Sequence, residues 1–275
     1  MKHAILVIGY GNSAEILQKS IDILDSYNID FFIHWDARYN LPQLSSVKSH
    51  IFFLKNRVSV KWGSWRQIEA ELLLLKAVKR SSQKYDYIHL ISSNDIPLMD
   101  VNYFEHYFKK DVYLGFDTYI TEEIKHRISY FYPNNVDFRK HVNIQRFYRY
   151  LNILFHINRL KNKNIKVEKG PNWFSIKGKF IDEILNYNNK IFEHSLCGDE
   201  IFLQTILSRF KDCRLNYKDV NEQALRYIDW KRGRPYIFSL NDVEELREKL
   251  NTHYAFARKV KDAQVVDRLY ESFKN

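Results

Sequence analysis

The chain opens on HAILVIGY, an unbroken apolar run that predicts a strand buried on both faces, and the GNS that follows supplies a turn and a helix cap. Ala14, Leu17, Ile21 and Leu24 then recur at helical spacing. FFIHW predicts a second buried strand and HIFFL a third. A long helix through IEAELLLLKAV stands between that third strand and the next, YIHLIS. Strands alternating with helices in this order imply an α/β fold built on a largely parallel sheet, with ligands beyond the carboxyl ends of the strands. The loops at those ends are GYGN, HWDAR and SSNDIPL.

After the strand VYLGFD the alternation stops. A basic, aromatic stretch follows, with an amphipathic helix expected between Asn143 and Leu160. The pattern then returns with WFSIK, helices in FIDEILNYN and EIFLQTILSRF, the strand LRYID and C-terminal helices. One domain over 1–275, with an insertion over 120–168, accounts for this order.

Composition narrows the function. With 275 residues, 45% hydrophobic and 28% charged, the chain buries one substantial core. No run approaches the ~18 to 20 apolar residues of a membrane span, and the opening run is too short for a signal peptide, so the expected location is cytoplasmic. Cys197 and Cys213 are too few for a disulfide framework or a zinc site and read as free thiols. The net charge of +10 is concentrated: residues 121–170 hold eleven Lys or Arg against four Asp or Glu. That segment is either a helix with one solvated face or a patch for phosphate, anionic lipid or an acidic acceptor. The 19 Tyr and 19 Phe suit carbohydrate handling and a packed core equally.

The most informative local feature is CGDEIFLQTIL, where Asp199 and Glu200 precede an apolar helix face. Asp199 as a helix cap explains both acids without chemistry. A carboxylate at a helix terminus is also well placed to take a proton from a nucleophilic hydroxyl. Arg232, Arg234, Arg258 and Lys259 gather around one expected C-terminal helix; they are solvated surface cations or neutralise a departing nucleoside diphosphate in place of a metal. Each of the loops HWDAR and SNDIPL offers a single acid and no Asp-x-Asp pair, so Asp36 and Asp95 are expected as hydrogen-bond acceptors rather than metal ligands. Trp62, next to Gly63, Trp173 and Trp230 are core residues or stack on a sugar or base.

In their order FIHWDAR, VKWGSWRQIEAELLLLKAV, YDYIHLISSNDIPL, RISYFY, KGPNWFSI, GDEIFLQTIL, LRYIDW and FARKV resemble the core-2/I-branching β-1,6-N-acetylglucosaminyltransferase family, which includes peptide xylosyltransferases and bacterial members. The resemblance implies a GT-A-like nucleotide-sugar fold and inverting, metal-independent transfer with no cofactor. It implies Glu200 as general base and Lys259 as a ligand of the donor diphosphate. The second phosphate ligand is Arg234 or, by a shift of register, Arg232. Gly9, Asp36, Trp62 and Asp95 are expected on the donor side, and Trp230, Asp199, Trp173 and Arg127 on the acceptor side. The membrane anchor, stem and multiple cysteines of the animal enzymes are not expected here, and the sequence has GDE where PDE is frequent. The implied partners are a UDP-sugar donor and a glycan or lipid-linked glycan acceptor, with peripheral contact to anionic membrane. Two rival readings remain at this point: a nucleic-acid-binding protein using the basic segment, which leaves GDE and FARK without a purpose, and a non-catalytic glycan-binding relative, which leaves Glu200 without one.

Overall fold

The computed structural model describes residues 1–212 and 219–271; the expected free thiol of Cys213 lies outside them. The N-terminal half runs β1 (His3–Gly9), α1 (Glu15–Ile23), β2 (Ile29–Trp35), β3 (Ile51–Phe53), α2 (Arg66–Arg80), β4 (Tyr87–Ser92), β5 (Asp95–Pro97), α3 (Val101–Tyr107) and β6 (Val112–Leu114). Then come α4 (Glu122–Ser129), α5 (Val142–Leu154), β7 (Phe174–Lys177), α6 (Ile181–Asn186), α7 (Asp199–Ile206), α8 (Val220–Gln223), β8 (Arg226–Ile228), α9 (Val243–Arg247), β9 (Phe256–Arg258) and α10 (Ala263–Tyr270).

The central sheet has the order β3-β2-β1-β4-β7-β6. β1 pairs in parallel with β2 and β4, β2 pairs in parallel with β3, and β7 runs antiparallel to both its neighbours. The apolar run of β1 is explained by its two faces: Ala4, Leu6 and Ile8 enter a core with α2 and α7, while Ile5 and Val7 enter another with α1 and α3. Gly9 ends the strand because an added Cβ there would lie 2.2 Å from the Trp35 ring.

Four expectations change. β3 is not buried: it is the sheet edge, with Phe52 open to solvent. The helix of the insertion stops at Leu154, short of Leu160. SNDIPL is not wholly a loop, because β5 starts within it, and the cations expected around a C-terminal helix include Arg258, which ends the strand β9. These two strands join β8 in a second, three-stranded sheet ordered β5-β9-β8. Its register sets Asp95 opposite Arg258.

A buried polar chain ties the two sheets. His3 Nδ1 and His89 Nε2 are 3.0 Å apart, and His89 Nδ1 is 2.8 Å from Ser175 Oγ. Arg226 Nη1 donates to the same hydroxyl at 3.3 Å. The Arg226 guanidinium also donates to the carbonyls of Ala224, Leu90 and Phe174 at 2.6, 3.0 and 2.8 Å. Burial pushes His3 down to about 4 and His89 well below the usual histidine range.

These histidines make stability depend on pH. Below about pH 6.5 the unfolded chain protonates them, whereas folded His3 resists until about pH 4. The unfolded state therefore binds more protons in that window, and the stabilisation present above it is lost as the pH falls. For His3 alone this is on the order of 3 kcal/mol. The melting temperature of the wild type relative to His3→Gln is expected to drop between pH 7.5 and pH 4.5; a constant difference would mean that His3 is not held neutral.

Candidate active site

The first cluster surrounds the start of α7. Gly198 precedes the helix, where a Cβ would stand 2.1 Å from Ser195 Oγ. Gly198 also holds the N-cap position, so Asp199 is the first helical residue rather than the cap. Glu200 Oε2 accepts from Arg127 Nη1 at 2.7 Å, and Lys169 Nζ lies 3.7 Å from the same oxygen while donating to Asp117 Oδ2 at 2.8 Å. Arg127 comes from the last turn of α4. The amide of Gly170 donates to the Glu200 carbonyl at 2.9 Å, and a Cβ on Gly170 would stand 2.0 Å from the Gly115 carbonyl oxygen. Among the described residues nothing bonds Glu200 Oε1.

Two further carboxyl groups lie behind Glu200. Burial, then the charge of Glu200, pushes Asp199 up to about 7. Glu71 of α2 is fully buried, with Oε1 unpaired, and burial followed by the charge of Asp199 holds it well above the usual carboxylate range. Burial likewise pushes the Cys197 thiol up, which makes it an unreactive neighbour. Of the three acids, Glu200 is the one with a cation against it.

The second cluster lies beyond the carboxyl ends of β1 and β4. Asp95 Oδ2 accepts from the Ser92 amide at 2.7 Å, and Oδ1 accepts from Ser92 Oγ at 3.0 Å and Arg258 Nη1 at 2.6 Å. The Arg258 guanidinium stacks over Trp173, 4.5 Å from its ring centre. The next residue, Lys259, donates from Nζ to the Tyr10 hydroxyl at 2.9 Å. Burial alone would raise Tyr10, but the hydrogen bond and charge of Lys259 outweigh it and the net shift is down. The loop after β8 runs alongside: the Phe238 amide donates to the Lys259 carbonyl at 2.9 Å and the Lys259 amide to Tyr236 at 3.3 Å. That loop carries Trp230, with its ring exposed, and Arg234.

The two arginines of that loop differ sharply. Arg232 pairs with Asp229, with Asp242 at 2.9 Å and with Glu245 at 2.6 Å, and it lies over the Tyr236 ring at 4.2 Å. Arg234 is exposed and makes no ion pair or side-chain hydrogen bond among the described residues. A guanidinium already surrounded by three carboxylates is a poor phosphate ligand, so Arg232 belongs to the scaffold of the loop.

Several expected donor-side contacts are also scaffold. Asp36 is buried; both its oxygens are taken by Arg38, at 3.0 and 2.7 Å, and Oδ2 also accepts from the Val60 amide at 3.0 Å. Asp95 is also buried and holds Ser92 and Arg258, so both acids anchor their loops. Gly9 lies against the Trp35 ring, where a Cβ has no room. Trp62 is half-exposed under Arg139, whose guanidinium is 4.6 Å from its ring centre, and Gly63 turns with φ +73°. Trp173 packs on Arg258, and so belongs with the second cluster and not with Glu200.

Two segments join the clusters. One is Gly170 to Trp173, bonded to Glu200 at one end and stacked on Arg258 at the other. The other runs from Val60, held by Asp36, to Gly63, whose carbonyl accepts from the Cys197 amide at 2.8 Å. Lys169, Asp117 and Tyr10 escape a reading of the sequence. Their signals were faint: Lys169 is one of many lysines near KGPNW, and Tyr10 follows the end of β1 in GYGN. Among the described residues no group of three or more His, Cys, Asp or Glu is arranged to hold a metal ion, and no helix is long and apolar enough to cross a membrane.

No curated protein matches the chain. The model of the Core-2/I-Branching enzyme family matches residues 4–250, which include both clusters except for Arg258 and Lys259. By that match, and by its mixed α/β architecture around a mostly parallel sheet, the chain belongs to the core-2/I-branching enzyme family and is a glycosyltransferase with a GT-A-like fold.

Proposed function

We propose that this glycosyltransferase moves a sugar from a UDP donor onto a glycan hydroxyl by one inverting, metal-independent displacement. The sugar is N-acetylglucosamine or a related hexose or xylose. The observation that carries this reading is the state of Glu200: Oε2 is held by Arg127 at 2.7 Å, and Oε1 is left open to take a proton. The acceptor oxygen attacks the anomeric carbon as Glu200 removes its proton, and the bond from that carbon to the diphosphate oxygen breaks. The electron pair leaves with the nucleoside diphosphate, and Lys259 and the unpaired Arg234 neutralise its charge. Trp230, exposed at the start of the same loop, stacks on the acceptor sugar.

The setting we propose is surface-polysaccharide assembly, such as capsule formation, with the acceptor on a lipid-diphosphate carrier at the cytoplasmic face of the membrane. The positive excess of residues 121–170 supports it, since that charge complements the carrier phosphates. Thermal-shift measurements against a panel of UDP-sugars identify the donor, because a ligand of the folded state raises its melting temperature.

Four outcomes are expected. Glu200→Gln lowers kcat by ~10² to 10⁴ with donor binding largely unchanged; near-normal turnover would remove Glu200 from the mechanism. Arg234→Ala costs on the order of 10² to 10³ in kcat/KM for the donor. Arg232→Ala instead leaves donor kinetics close to wild type and lowers Tm by roughly 2–4 °C; the reverse pattern would exchange their roles. Transfer also proceeds at full rate in excess chelator, and an absolute requirement for manganese would rule out neutralisation by Arg234 and Lys259 alone.

A further inference from the structure

A surface helix of a globular protein buries its apolar stripe and wets its polar side. α5 does the reverse. Its one buried residue is Asn152, whose side chain accepts from the Phe131 amide at 2.7 Å and donates to the carbonyls of Phe131 at 2.9 Å and Tyr148 at 2.6 Å. The helix is therefore fastened to the protein by this polar contact together with Tyr148, which packs on the small core of Tyr132, Phe138 and Leu196. Facing out, Phe147, Tyr150 and Leu154 stand at i, i+3 and i+7 with 57%, 61% and 53% of their surface exposed. Ile153 and Phe155 extend this ridge.

Cations border it. Arg146 and Arg149 immediately precede Phe147 and Tyr150, about 100° around the helix from each. Lys140 lies just before the helix, and Lys161 and Lys163 follow it. Among the described residues only Arg149 of these five has an ion-pair partner, Glu123 at 3.6 Å.

We infer that α5 is an interfacial docking helix that seats Phe147, Tyr150 and Leu154 in the headgroup and acyl boundary of an anionic bilayer. An apolar ridge with unpaired cations at its rim complements an apolar layer lying beneath negative headgroups. Pairing with a second copy of α5 would bring Arg146 and Arg149 against their own kind. Docking also has a route to the chemistry. The Arg159 amide donates to Ser129 at 2.8 Å, and its guanidinium donates to the carbonyls of Ile128 at 3.2 Å and His194 at 3.4 Å. The insertion is thus bonded to the turn of α4 that carries Arg127 and to the loop that leads to Glu200, which sets the base near the membrane surface.

Flotation of the full chain with vesicles tests this without donor or acceptor, so its outcome is separate from that of the transfer reaction. Wild type floats with phosphatidylcholine vesicles containing phosphatidylglycerol and much less with phosphatidylcholine alone. Phe147→Ser, Tyr150→Ser and Leu154→Ser together lower partitioning on the order of tenfold or more, with the melting temperature kept because these side chains are exposed. Lys140→Glu with Arg146→Glu weakens binding to the anionic vesicles selectively. The inference is overturned if wild type fails to float with the mixed vesicles, or if the triple variant floats equally well. It is also overturned if sedimentation velocity shows a dimer that the triple variant abolishes.

Discussion

A buried guanidinium holds the two sheets together. Arg226 belongs to β8 in the small sheet, yet two of its hydrogen bonds end on the carbonyls of Leu90 in β4 and Phe174 in β7. Its plane lies over Phe256 of β9, with 4.7 Å to the ring centre. No carboxylate bonds it among the described residues, and burial lowers it to about 9, still high enough to stay charged at neutral pH. Carbonyl dipoles and one serine hydroxyl therefore replace water around Nη1 and Nη2, while Nε is buried without a partner among the described residues. Each carbonyl deprived of its donor would cost about 1–3 kcal/mol. β9 packs on this seam between the sheets through Phe256, and it carries Arg258, with Lys259 next in the chain.

From that seam outward, charged residues divide into those that are used up and those left open. Asp36, Asp95, Arg232 and Arg258 have partners at hydrogen-bond distance, and each holds a loop in place. Glu200 Oε1 and Arg234 are the open groups beside them. A polar group whose valences are filled by protein loses those contacts when it binds a ligand, whereas an open one loses only water. Filled groups thus build the site, while Glu200 Oε1 and Arg234 stand open to a ligand.

This division explains what was legible in the sequence. β1, β2 and β4 announce themselves because a strand covered on both faces must be apolar throughout. Glu200 and Lys259 stand in motifs whose order resembles the family. Of the second sheet only β8 shows in the sequence, as LRYID; β5 and β9 are silent because three residues are too few for a period to appear, and no pattern records that Arg226 ties the sheet to its larger neighbour. Arg232 and Arg234 are the same residue type two positions apart, and only the carboxylates gathered from α9 and its flank separate them. For α5, periodicity reveals two faces but not which one the protein covers; the inward choice of Asn152 depends on a backbone carbonyl and amide at Phe131 that no pattern in the helix records.

The acids at the start of α7 show how one carboxylate comes to be singled out. Three carboxyl groups sit near one another, but one unshared cation serves them: Arg127 touches Glu200, and Lys169 is already engaged by Asp117. Ionising all three would set like charges together in a region with little water, which costs more than one guanidinium and the helix N-terminus return. Burial holds Glu71 well above the usual carboxylate range and pushes Asp199 up to about 7, while Glu200 is the acid that the Arg127 guanidinium touches. The placement of Arg127 on α4, a helix that belongs to the insertion rather than to the central sheet, thus decides which acid has a cation against it.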